Sequence, residues 1–211
     1  MTIKELEGLL YQHKDASFAR WQEAYMRHQF AFLGIRQPVR KKLQKDFVKK
    51  SRKQDVLALW KKKDREFQYV AIDILLQQKR EEEDLLILEN LITTKSWWDT
   101  VDLLATNLCG KLFKNSPHLI DQTRRWMEGA NMWLRRSSLL FQLRYKNETD
   151  EALLFEYCRS CAGDPDPFIQ RAIAWALREY SKSSPSKVLD FVEKSTFSTL
   201  VQREALQHAK Q

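Results

Sequence analysis

The chain has 211 residues, 36 basic and 28 acidic, giving a formal charge of +8 and a pI near 9.4. Hydrophobic residues make up 43%, enough for a sizeable core, which argues against disorder, and no apolar run reaches the roughly 18 residues of a membrane span. The length fits one domain or a continuous repeat array over 1–211, the basic surplus favours a polyanionic partner, and three cysteines fit reduced thiols rather than a disulfide framework.

The start, Met1-Thr2-Ile3-Lys4-Glu5, leads into an amphipathic pattern and not into a signal-peptide core, so a cytoplasmic location is expected. Gly34 marks a turn. Between Arg36 and Lys53 stand nine basic residues, Arg40 and Lys41 among them, against Asp46 alone. Lys61-Lys62-Lys63 follows. Phe67, Val70, Ala71, Ile74 and Leu75 then recur with helical period, and acid gathers in Glu81-Glu82-Glu83-Asp84. Ser116-Pro117, Asp166-Pro167 and Ser184-Pro185 each set a capping residue before a proline at a first helical position. Gly129 and Gly163 lie at further turns. No alternating strand pattern and no glycine-rich phosphate loop interrupts this series.

The run Lys95-Ser96-Trp97-Trp98-Asp99-Thr100-Val101-Asp102 stands out. On a helix Trp98 and Asp102 are four apart, offset by roughly 40° around the axis. An aromatic face and a carboxylate then point the same way, a combination that suits a flat cationic group. The same spacing also fits a buried tryptophan beside an aspartate on a helix surface.

The helical segments resemble one another. Trp133 to Phe141 lies in register with Phe168 to Ala176, and Arg136, Arg171 and Arg203 recur at intervals of 35 and 32 residues. Upstream, Phe67 and Trp97 extend the register to Trp133. A period in the thirties in an all-helical chain predicts an all-α, superhelical stack of HEAT-like antiparallel helix pairs with a concave basic groove. In that groove Arg136, Arg171 and Arg203 either grip successive phosphates or brace adjacent repeats through a carboxylate.

A basic groove with an aromatic and a carboxylate points to chemistry on nucleic acid. His13, His28, His118 and His208 are scattered, and Cys158-Arg159-Ser160-Cys161 has no second pair, so no metal or cofactor is expected. A carboxylate without a metal suits cleavage of the N-glycosidic bond to an alkylated purine. The base already carries positive charge and leaves without a general acid. The carboxylate stabilises the oxocarbenium-like sugar and orients water.

The sequence resembles the AlkD type of DNA alkylation repair enzyme, a DNA glycosylase family built from HEAT-like repeats. The resemblance rests on Tyr25-Met26-Arg27 with Phe32-Leu33-Gly34-Ile35, on Glu66-Phe67-Gln68, and on Thr94 to Asp99 with Val101-Asp102. It continues through Trp133 to Arg136 with Leu140 to Leu143, and through Phe168-Ile169-Gln170, Trp175 and Leu177 to Tyr180. These segments span nearly the whole chain in order. The resemblance implies that Asp102 is the catalytic carboxylate, that Trp98, Trp175 and Tyr25 line the lesion-facing cleft, and that Arg136 contacts the DNA backbone near the lesion. Arg171, Arg203, Arg40 and Lys41 are expected to join Arg136 in DNA binding. The implied partner is double-stranded DNA containing alkylated purines, bound without a membrane by a monomer in a bacterial-type cytoplasm. The implied activity releases N3- or N7-alkylated purines without a deep base pocket. Two other readings stay open on the residues: a non-catalytic HEAT-like binder of damaged or branched DNA, and a solenoid that holds a peptide.

Overall fold

Short polar side chains, prolines and glycines break the chain into helices. The computed structural model describes residues 1–207 and is all-α; among the described residues the only extended pairing is one bridge between Ala31 and Asp64. No helix among them is long and apolar enough to cross a membrane. His208 lies outside the described residues. The chain divides into two compact units at Lys79–Arg80.

The first unit holds α1 (Ile3–Gln12), α2 (Ala16–Tyr25), α3 (Gln37–Lys50), α4 (Lys53–Trp60) and α5 (Arg65–Gln77). Thr2 and Glu5 cap α1 reciprocally, and the Asp15 carboxylate accepts from the Ser17 and Phe18 amides to open α2. Helix α5 is the centre, packed on α3 and α4 and buried along most of its length. The predicted apolar face, Phe67, Val70, Ala71, Ile74 and Leu75, is fully inside. Three backbone amides of the Leu33–Ile35 turn donate to the buried Glu66 carboxylate at 3.0–3.2 Å. Burial raises this carboxyl above its ordinary range, and the amide bonds pull it back. Gly34 adopts φ +81°, and a Cβ there would lie 2.0 Å from the Asp15 carbonyl oxygen. The turn therefore needs glycine for its dihedral and for its space.

The second unit begins at Arg80. It contains α6 (Asp84–Thr93), α7 (Trp98–Leu103), α8 (Gly110–Asn115), α9 (Ile120–Glu128), α10 (Met132–Leu140), α11 (Glu151–Ser160), α12 (Pro167–Ser181), α13 (Pro185–Glu193) and α14 (Thr199–Ala205). A π-helical turn, Leu104–Cys109, joins α7 to α8 without a break. Helix α10 packs on α6, α7, α9, α11 and α12, and α12 packs in turn on α13 and α14. Phe113, Trp126 and Phe141 meet edge to face at the core, with centroids 5.3–5.7 Å apart.

Of the three predicted Ser/Asp-Pro caps, only Asp166 caps with its side chain, accepting from the Phe168 amide at 2.7 Å. Ser184 makes no such bond, and the Ser116 hydroxyl donates to Glu82 instead, ahead of a single 3-10 turn. The helical repeat leaves its own mark. Near the starts of α5, α10, α12 and α14, one side chain folds back to donate to carbonyls of the preceding turn. Gln68 donates to Trp60 and Lys62, Arg135 to Gly129 and Ala130, Gln170 to Ala162 and Asp164, and Gln202 to Phe197. This closes polar groups that a tight turn would otherwise strand. It aligns Gln68 with Arg135 and Gln170, one residue away from the Phe67–Trp133 register predicted from sequence.

Candidate functional site

Asp102 sits at the end of α7, where the π-helical turn begins. The Thr106 hydroxyl, inside that turn, donates to the Asp102 carbonyl at 2.7 Å. A π turn re-aims the residues after it, and such turns gather at functional sites. The Asp102 carboxylate receives two parallel bonds from Arg136 of α10, Nε to Oδ1 at 2.7 Å and Nη2 to Oδ2 at 2.8 Å. The remaining Arg136 nitrogen, Nη1, donates to the carbonyl of Phe168 in the first turn of α12. One guanidinium thus ties three successive repeats together, and it is 5% exposed.

The surroundings of this pair are aromatic. Trp97 at the start of α7, Trp133 at the start of α10 and Phe168 at the start of α12 form a closed triangle, with centroids 5.2–5.8 Å apart. Phe168 belongs to this triangle, and its backbone carbonyl is the one that receives Arg136. Trp98 opens α7 one turn before Asp102, as the sequence spacing predicts, and is half-buried; Trp175 is half-buried on α12.

Burial pushes the Asp102 carboxyl above its ordinary value of 3.8; the Arg136 hydrogen bonds and charge oppose the rise, and Asp99 adds to it. Asp99 thus acts on Asp102 through its charge. The arrangement gives a carboxylate whose two oxygens are fixed in direction, with its side chain 16% exposed. It can stabilise a cation brought to it or accept a hydrogen bond from water, but rotation is blocked by the bidentate arginine. Among the described residues no three His, Cys, Asp or Glu side chains gather as a metal site.

The arginines expected to form a ladder divide. Arg136 is buried and engaged, which corresponds to the bracing alternative rather than to a solvent-facing phosphate contact. Arg171 is exposed on α12, and Arg203 is 72% exposed on α14 with Glu204 3.5 Å away.

In the first unit the same bracing recurs. Arg40 of α3 is 4% exposed and donates to Asp73 of α5 at 2.8 Å; Gln44 joins at 2.6 Å and Lys41 at 2.8 Å. Arg40 therefore does not face solvent, and Lys41 is half-exposed with its ammonium held. The other exposed cations of α3 are Lys42, Lys45, Lys49 and Lys50, which the sequence shows only as part of a run. Tyr25, at the end of α2, is 57% exposed and stacks on Trp21 at 5.4 Å.

A model of the family described as DNA alkylation repair enzyme matches residues 6–209. The chain belongs to the DNA alkylation repair enzyme family. A solved structure described as a predicted DNA alkylation repair enzyme from Enterococcus faecalis is similar over 92% of this chain and 96% of that one, at 33% identity and a TM-score of 0.86. No match is found among the curated proteins. For a DNA alkylation repair family member, DNA is the implied substrate.

Proposed function

We propose that this member of the family is a DNA glycosylase that hydrolyses the N-glycosidic bond of cationic N3- or N7-alkylated purines in duplex DNA. The single observation that carries the reading is the Asp102 carboxylate, held by two Arg136 bonds at 2.7 and 2.8 Å one helical turn from Trp98.

The bond between C1′ and the purine nitrogen breaks first, and its electron pair goes to the base. That pair cancels the positive charge on the alkylated ring, so the base departs neutral and needs no proton. The sugar is left with oxocarbenium character, which Asp102 stabilises through its negative charge. Water held by the carboxylate adds to C1′ and loses its proton, leaving a free alkylpurine and an abasic site. Arg136 does not touch substrate in this scheme. It is a positioning residue that keeps both Asp102 oxygens in place. Trp98 and Trp175, in the same unit as Asp102, supply π-faces for the cationic base. Arg171, Arg203 and the exposed lysines of α3 supply phosphate contacts.

The deciding experiment measures free 7-methylguanine and 3-methyladenine released from methylated duplex DNA, with retention on DNA measured in parallel. Native protein is expected to release base and Asp102→Asn to bind without releasing it. Retention without release by the native protein would instead favour a non-catalytic DNA binder.

A further inference from the structure

We propose that the aromatic ladder of α2, centred on Trp21, is a stacking platform for an unpaired nucleobase of the bound DNA. This rests on the reading of the chain as an enzyme acting on DNA, and it adds a second contact that the Asp102 site does not use.

Phe18, Trp21 and Tyr25 fall on one stripe of α2. Phe18 and Trp21 are parallel within 8° and Trp21 and Tyr25 within 5°, each pair with centroids 5.4 Å apart. Rings in contact stand about 3.5–4 Å apart, so parallel rings at this centroid spacing are slipped by several ångströms or leave a gap. Either way part of each π-face stays uncovered. Trp21 is 59% exposed, and α2 buries only Ala19. A helix that leaves Trp21 and Tyr25 exposed beside a part-buried Phe18, and holds the three rings parallel, offers a surface for another flat ring.

Charge selects the occupant. The Arg36 guanidinium lies 4.3 Å from the centroid of Phe18 and closes one end of the ladder with a cation. Arg20 on α2 and Arg27 just beyond it are exposed. The one acid of α2, Glu23, accepts from the Phe32 amide at 3.2 Å and is turned to that bond. Aromatic faces flanked by arginines are the surface that single-stranded nucleic acid uses, with bases on the rings and phosphates on the cations. A paired base hides both its faces, so the platform takes a base only where the duplex is interrupted.

The test compares a fully paired duplex with the same duplex carrying one bulged 2-aminopurine. Native protein should bind the bulged DNA more tightly and quench the 2-aminopurine fluorescence. Trp21→Ala should lose about five-fold or more on the bulged DNA, change paired-duplex affinity less than about two-fold and leave the fluorescence unquenched. Trp21→Phe, which keeps a ring, should recover most of the preference. Equal losses on both DNAs, or no preference in the native protein, would overturn the proposal. Asp102→Asn should keep the preference. A native protein that releases alkylated base yet ignores the bulge overturns the platform alone; one that binds neither DNA overturns the platform and the glycosylase reading together.

Discussion

Arg136 grips Asp102 from 34 residues away in sequence, with two bonds of 2.7 and 2.8 Å and a third to the Phe168 carbonyl. The pair is both a joint between repeats and the base of the candidate site. With three of its five N–H groups engaged and only 5% of the residue exposed, Arg136 has little surface left for a phosphate.

Asp102→Asn removes the negative charge and keeps the shape. Base release should fall by about a hundred-fold or more, the scale of losing one preorganised electrostatic contact, while DNA retention changes little. Release assays on methylated duplex beside a filter-binding titration check this. Undiminished release would remove Asp102 from the mechanism.

Arg136→Ala leaves a carboxylate buried without its partner and should destabilise the fold by about 3–5 kcal/mol. Urea denaturation measures the loss. Combining Asp102→Asn with Arg136→Met removes both charges and should recover much of it, because neither variant residue is then an uncompensated ion. A single Arg136→Ala variant as stable as the native chain would show that the pair holds nothing together.

The pH dependence follows from burial. Asp102 takes up its proton at a higher pH than the ordinary 3.8, because desolvation outweighs the Arg136 bonds. The ionised form is the working one, so activity should fall on acidification earlier than for a solvated aspartate. Arg136→Met removes the opposing interaction and should move the acid limb to still higher pH. Asp99→Asn removes a raising one and should move it lower. A pH–rate profile of base release reads all three limbs, and an unmoved limb in both variants would mean that another group controls it.

The exposed and buried arginines should separate by salt. Arg171→Ala and Arg203→Ala each remove an exposed cation and should lower the slope of log affinity against log salt by about one unit or less, with little loss of stability. Arg40→Ala should do the reverse, since its guanidinium is inside the Asp73–Gln44 cluster. It should lower the denaturation midpoint and leave the salt slope unchanged.

Gly34→Ala places a Cβ 2.0 Å from a backbone carbonyl at a dihedral that disfavours side chains. The Leu33–Ile35 turn would have to move off Glu66, which breaks three buried bonds. A loss of about 3 kcal/mol or more is expected, measurable as a lowered thermal midpoint.

The sequence by itself determined the helices, the period in the thirties and the shared face of Trp98 and Asp102, because these depend on spacing along a single helix. It also marked Gly34 and Asp166 as punctuation, since local backbone chemistry suffices there. Only the tertiary structure decided which arginine is a brace. Arg136, Arg171 and Arg203 stand in one register, yet only Arg136 has a carboxylate waiting on the preceding repeat, and burial follows from that partner. Arg40 inside a basic run is likewise indistinguishable from Lys42 until α5 brings Asp73 against it. The π turn after Asp102 is invisible to a 3.6-residue period, and the exposure of Trp21 runs against the usual fate of tryptophan. Helix spacing is a local property, whereas charge pairing and burial are set by which surfaces meet, and that is settled only when the repeats stack.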